Sequence, residues 1–136
     1  MLKKQATIEK IDITPLLSVR NLLNDIIKDA DSEYEYMGAI QAFEMAYELT
    51  WKTLKKVLES QGISEIYSPK ETFRKAYLEG FIADFDQWNG YLKTRNLTVH
   101  AYNEDILYDV WNILPKFLKD LDLLIKKIKP YVENGK

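Results

Sequence analysis

"SEYEYMGAIQAFEMAYELTWKTLKKVLESQG", Ser32–Gly62, carries one helical period from end to end. Tyr36, Ile40, Phe43, Tyr47, Trp51, Leu54 and Leu58 recur every three or four residues, the spacing that lines one face of an α-helix. Ser32 and Glu35 form a capping box, the serine accepting from the backbone while the glutamate reaches back. Gly62 stands where a helix closes on a left-handed residue. An apolar stripe of this length, residues 33–61, has to be covered by partners of similar length.

Two such partners flank it. "TPLLSVRNLLNDIIKDA", Thr14–Ala30, offers Thr14 as N-cap and Pro15 at the first helical position, where its missing N–H costs nothing. Leu16, Val19, Leu23, Ile26 and Ile27 then keep helical spacing. At the other end Asn103 opens a helix over 103–129, with Glu104 and Asp105 at its positive end. Pro115 should kink that helix rather than end it, because Phe117, Leu121, Leu124, Ile125 and Ile128 hold the period. Between the long segments lie two shorter ones. "SPKETFRKAYLEG" has Ser68 as N-cap, Pro69 at N1, Glu71 completing the box and Gly80 as terminator. "DFDQWNGYLKTRN" pairs Asp84 with Gln87 in the same relation. No strand alternation, repeat or low-complexity run interrupts this order. The expected fold is all-α, an up-and-down antiparallel bundle of four-helix type. Helices 14–30, 33–61 and 103–129 take three positions, and the shorter helical pair fills the fourth. Residues 1–136 make a single domain, with 1–13 as an arm or an early helical turn.

Composition narrows the chemistry. No apolar run approaches the ~20 residues that span a bilayer, and the N-terminal "MLKKQATIEKIDITP" has no continuous apolar segment of the kind a secretion signal needs. The absence of cysteine excludes disulfides and thiolate chemistry, and suits a reducing cytoplasm. A formal charge of −2 lacks the basic excess of a general nucleic-acid binder, so any RNA contact rests on a local patch. The glycines, Gly38, Gly62, Gly80, Gly90 and Gly135, never cluster into a phosphate loop. One histidine among scattered carboxylates is not a metal-ligand set, so neither cofactor nor metal is expected.

That histidine lies in "RNLTVHAY", Arg95–Tyr102. The caps place Arg95 near the end of one helix and Asn103 at the start of the next, so His100 sits at the junction. On one ideal helix, residues five apart point ~140° away from each other; a junction lets Arg95 and His100 converge. Arginine offers a fixed fork for phosphate oxygens, and histidine exchanges a proton near neutrality. The residues alone leave two readings: a phosphate-handling pair, or an exposed histidine beside a bundle-edge arginine. Glu44, Glu48, Lys52, Lys55 and Lys56 read as a solvated face, with Glu48 and Lys52 in the favourable i,i+4 order, or else as a partner surface. Phe43, Tyr47, Trp51, Trp88, Tyr91 and Trp111 read as core.

Three blocks, "AFEMAYELTWKTLKKVLESQGI", "SPKETFRKAYLEGFI" and "RNLTVHAYNED", agree in order and spacing with one family. Over roughly residues 36–107 the chain resembles the nucleotidyltransferase substrate-binding proteins, within the HEPN class of helical domains. The class motif is an Arg, four residues and a His, often with a polar residue after the arginine. Arg95, Asn96 and His100 fit it, and Tyr102 completes the extended form R-x4-H-x-Y. Gln41 departs from the pattern, where an arginine is more usual.

The resemblance implies a homodimer of up-and-down bundles whose motifs meet at the dimer axis, encoded beside a minimal nucleotidyltransferase. In the branch with the full motif the protein is a metal-independent ribonuclease toxin of a toxin-antitoxin pair, silenced when the partner attaches AMP to the motif tyrosine. Arg95, Asn96 and His100 would then be catalytic and Tyr102 the modified residue. The alternative is a non-catalytic substrate-binding subunit of a two-component nucleotidyltransferase, and a third is a plain helical dimer with a structural motif. In each case the nucleotidyl transfer belongs to the partner, since this chain lacks the Gly-Ser and paired-aspartate motif that holds metal and triphosphate.

Overall fold

The computed structural model of the protein describes residues 11–132, all of its regular structure helical. Five α-helices follow in order: α1 (Thr14–Asp29), α2 (Glu33–Ser60), α3 (Pro69–Leu78), α4 (Phe85–Leu97) and α5 (Glu104–Ile128). Short 3₁₀ turns, Thr98–His100 and Lys129–Tyr131, lead into and out of α5.

The ends form for the reasons the sequence gives. Ser32, Ser68 and Asp84 accept from the N–H groups of Glu35, Glu71 and Gln87, while Asn103 accepts from Asp105 and Ile106. Glu35 and Glu71 return a carboxylate to the hydroxyls of Ser32 and Ser68. Gly62 and Gly80 take positive φ, +86° and +84°. Beyond them Ile63 N–H bonds Leu58 O at 3.1 Å and Phe81 N–H bonds Ala76 O at 2.9 Å. Both are Schellman closures, which use the last orphan carbonyls.

The start of α1 differs from expectation. Thr14 is its first residue, not its cap. Ile13 occupies the cap position without a side-chain bond, and Asp12 Oδ1 accepts from Thr14 N–H at 2.9 Å. Burial explains the shift: Ile13 is wholly inside the core, and a carboxylate one step earlier satisfies the open donor. Of the segment 1–13, expected as an arm or an early helical turn, residues 1–10 lie outside the described residues; Ile11 and Ile13 are core. The last helix runs unbroken through Pro115, which is exposed, so the lost backbone bond falls on the wet side.

Side-chain pairs give the topology. Tyr36 of α2 meets Tyr108 and Trp111 of α5, and farther along Phe43 meets Phe117, so α2 and α5 run in the same direction. Short connections turn α1 back from α2, and α4 back from α5. Arg20 of α1 grips Asp122 of α5 through two 2.8 Å bonds. In this up-and-down bundle α4 takes the fourth position, and α3 packs against α2 and α4. Phe73 of α3 stacks on Trp88 of α4 with ring centroids 4.8 Å apart.

Phe117 is the centre of the core. Phe43, Trp88 and Tyr91 converge on its fully buried ring at 4.8, 5.9 and 5.1 Å, mostly edge-on. Burial pushes the Tyr91 phenol up, and its hydroxyl donates to Asp120 at 2.6 Å. Of the six aromatics expected as core, Phe43, Tyr47, Trp88 and Tyr91 are buried, whereas Trp51 and Trp111 pack against the core half-buried. Because three helices meet on Phe117, Phe117→Ala leaves a cavity that no single side chain can fill. Chemical denaturation should show a loss of about 3–5 kcal/mol, the range for buried Phe→Ala changes.

Candidate functional site

The motif residues occupy the turn from α4 into α5. Arg95 and Asn96 lie in the last turn of α4, His100 ends the 3₁₀ turn and Tyr102 follows it, ahead of the Asn103 cap. Ala101 is buried and anchors the turn. Its neighbours point outward: Asn96 and His100 are exposed, and Tyr102 is 80% exposed. His100 Nδ1 lies 3.2 Å from Tyr102 Oη, with the rings edge to face. Which of the two groups donates depends on the ring tautomer; when Nδ1–H donates to the phenol oxygen, the Nε2 lone pair is free to accept a proton, as a general base requires.

Arg95 faces another way. Its Nη1 is 3.5 Å from Glu44 Oε2 and 3.4 Å from Thr98 Oγ1, and its Nε is 3.9 Å from Glu48 Oε2. Among the described residues no hydrogen bond or ion pair joins Arg95 to His100. The junction brings His100 and Tyr102 together but holds Arg95 against α2, so the expected convergence of Arg95 with His100 is not made within one chain. Glu44 and Glu48 are correspondingly not a solvated face. They are half-buried in the seam between α2 and α4. Glu48 also accepts from Trp51 Nε1 at 3.4 Å and keeps its i,i+4 contact with Lys52 at 4.0 Å.

Thr98 is the residue the sequence reading missed. It is buried, its hydroxyl donates to Glu44, and it lies 2.7 Å from the Arg95 carbonyl. The signal was present in the motif itself: a small hydroxyl three residues after the arginine, next to a turn, commonly bonds back to the backbone. Tyr47 borders the cluster. Burial pushes its phenol far up, the Glu48 charge adds to that, and Arg95 opposes it.

A cavity of about 400 Å³ opens elsewhere, lined by Phe81, Trp88, Leu124, Lys116 and Asp120 among others. None of the motif residues lines it. Among the described residues no group of three or more His, Asp or Glu stands close enough to hold a metal ion, and no helix is long and apolar enough to cross a membrane.

Known proteins share this arrangement of helices. A Thermus thermophilus protein of known crystal structure superposes with a TM-score of 0.77 at 29% identity, over 81% of this chain and 95% of its own. A Haemophilus influenzae protein, whose structure is described as revealing the fold of a substrate binding domain of a nucleotidyltransferase, gives 0.80 at 26% identity, over 87% and 99%. In sequence, the Haemophilus influenzae (strain Rd) protein named "Probable ribonuclease HepT" is 32% identical over 96 residues, 68% of this chain. The match spans 66% of that relative, just under two thirds of its length. Residues 13–130 match the family described as "Nucleotidyltransferase substrate binding protein like", and the chain belongs to that family.

Proposed function

We propose that this protein is the HEPN-like subunit of a two-component system with a separately encoded minimal nucleotidyltransferase. It acts as a metal-independent ribonuclease toxin that the partner silences by attaching AMP to Tyr102. The family description and the ribonuclease name of the Haemophilus relative support this reading. The observation that carries it is the exposed His100–Tyr102 pair at 3.2 Å, on the turn whose stem holds Arg95.

The chemistry is transesterification. His100 takes the proton of a ribose 2′-OH, the 2′-oxygen attacks the adjacent phosphorus, and the 5′-oxygen leaves with a proton from a second acid. Arg95 stabilises the extra charge on the phosphorane, and Asn96 orients the phosphate. One histidine per chain cannot hold both protons at once, so the site takes its second from another copy. The same end of the bundle exposes Leu97 at 46%, Val99 at 65% and Tyr102 at 80%, an apolar rim suited to such an interface.

The rival reading, a non-catalytic substrate-binding subunit, is favoured by the net charge of −2 and by the two carboxylates that already engage Arg95. Cleavage assays separate them. His100→Ala and Arg95→Ala should each lower RNA cleavage in the presence of chelator about 10²–10⁴-fold, the usual worth of a positioned acid–base group, with helical content unchanged. Wild type that cleaves no RNA hands the function to the rival.

Assembly gives a second test. Light scattering at roughly 10 µM, where an ordinary interface persists, should report a dimer, and Val99→Asp should shift it towards monomer and reduce cleavage in parallel. A strict monomer with full activity removes the composite site.

Modification gives a third. An AMP ester turns the Tyr102 hydroxyl into a bulky anionic phosphodiester, removes the O–H that faces His100, and places a competing anion where the RNA phosphate must bind. Mass spectrometry after incubation with the cognate nucleotidyltransferase, ATP and magnesium should find one AMP adduct that disappears in Tyr102→Phe. An adduct unaffected by that substitution removes Tyr102 from the mechanism.

A further inference from the structure

We infer that Glu44 is a positioning residue, the side chain on α2 that fixes Arg95 relative to the turn bearing His100. The inference rests on the ribonuclease reading above. Among the described residues Glu44 is the one carboxylate in contact with both parts of the motif: Oε2 is 3.5 Å from Arg95 Nη1 and accepts the hydroxyl of Thr98, two residues before His100. Fifty-four positions separate Glu44 from Thr98, so the contact ties two distant segments together.

Thr98 has a single proton to give. Its oxygen lies within reach of the Glu44 carboxylate and, at 2.7 Å, of the Arg95 carbonyl. A charged acceptor wins over a neutral one, so the hydroxyl stays turned to Glu44 and its lone pairs remain available to Arg95 Nη1 at 3.4 Å. Glu44, Thr98 and Arg95 thereby close a ring across the seam, and Glu48 steadies the Nε side at 3.9 Å. The device is not a stability device. The three charged side chains are 28–38% exposed, and an ion pair so hydrated contributes little to folding. Its effect is on geometry, because a guanidinium fork serves a transition state only when it is aimed.

Glu44→Gln preserves shape and removes the charge. In this variant thermal unfolding should stay close to wild type, while RNA cleavage falls on the order of 10²-fold, the cost of a misplaced catalytic group. Thr98→Val should reproduce the loss, and Thr98→Ser should restore most of the rate. A readout independent of catalysis is the Arg95 Nε–H signal in side-chain ¹⁵N NMR spectra, assigned by its disappearance in Arg95→Lys. Its hydrogen exchange should quicken at least severalfold in Glu44→Gln. An unchanged Arg95 signal overturns the inference, as does Glu44→Gln protein that cleaves RNA at the wild-type rate. Wild type without nuclease activity overturns the ribonuclease reading instead, and the NMR comparison still decides whether Glu44 holds Arg95.

Discussion

Everything near the motif depends on how α2 buries its apolar face. Phe43 and Tyr47 are fully inside the core, each followed directly by a carboxylate. Successive helical residues are ~100° apart, so burying Phe43 and Tyr47 swings Glu44 and Glu48 to the rim of the same stripe. There α2 meets α4, and the acids face Arg95 at 3.5 and 3.9 Å. The electrostatics of the site are thus a by-product of core packing. Any repacking that rotates α2 by a fraction of a turn withdraws both carboxylates from Arg95 at once.

Much of the architecture was legible because it is written in local, periodic terms. The apolar repeat of α2, the serine boxes at Ser32 and Ser68 and the left-handed glycines at Gly62 and Gly80 each act within a few residues. The error at Thr14 has the same origin. A cap rule sees only side chains next to a helix, whereas Ile13 is held in the cap position by core contacts that the sequence does not display. Trp51 and Trp111 show the limit of periodicity in another way. Helical spacing says which face a residue takes, but how deep that face lies depends on which neighbour covers it.

The site divides along the same line. Arg95, Asn96, His100 and Tyr102 could be read as one motif because they lie within eight residues, and the turn that displays them is set by flanking caps. What Arg95 actually touches could not be read. Its charged partners come from α2, some fifty residues earlier, and look from sequence like an ordinary polar flank. The helix angle that separates Arg95 from His100 also persists further into the junction than the spacing suggested: α4 continues to Leu97 before the tighter turn begins.

Holding Arg95 between carboxylates has a consequence for a chain of net charge −2. With Glu44 and Glu48 set against Arg95 and Lys52, the local charges cancel, and long-range attraction for a polyanion is weak. A phosphate must instead win by geometry. Bidentate N–H···O bonds at ~2.8 Å are shorter than the 3.5 and 3.9 Å ion pairs they replace or join. Such a site discriminates by fit, not by field. An arginine held this way suits a phosphate delivered at close range better than one collected from bulk solution.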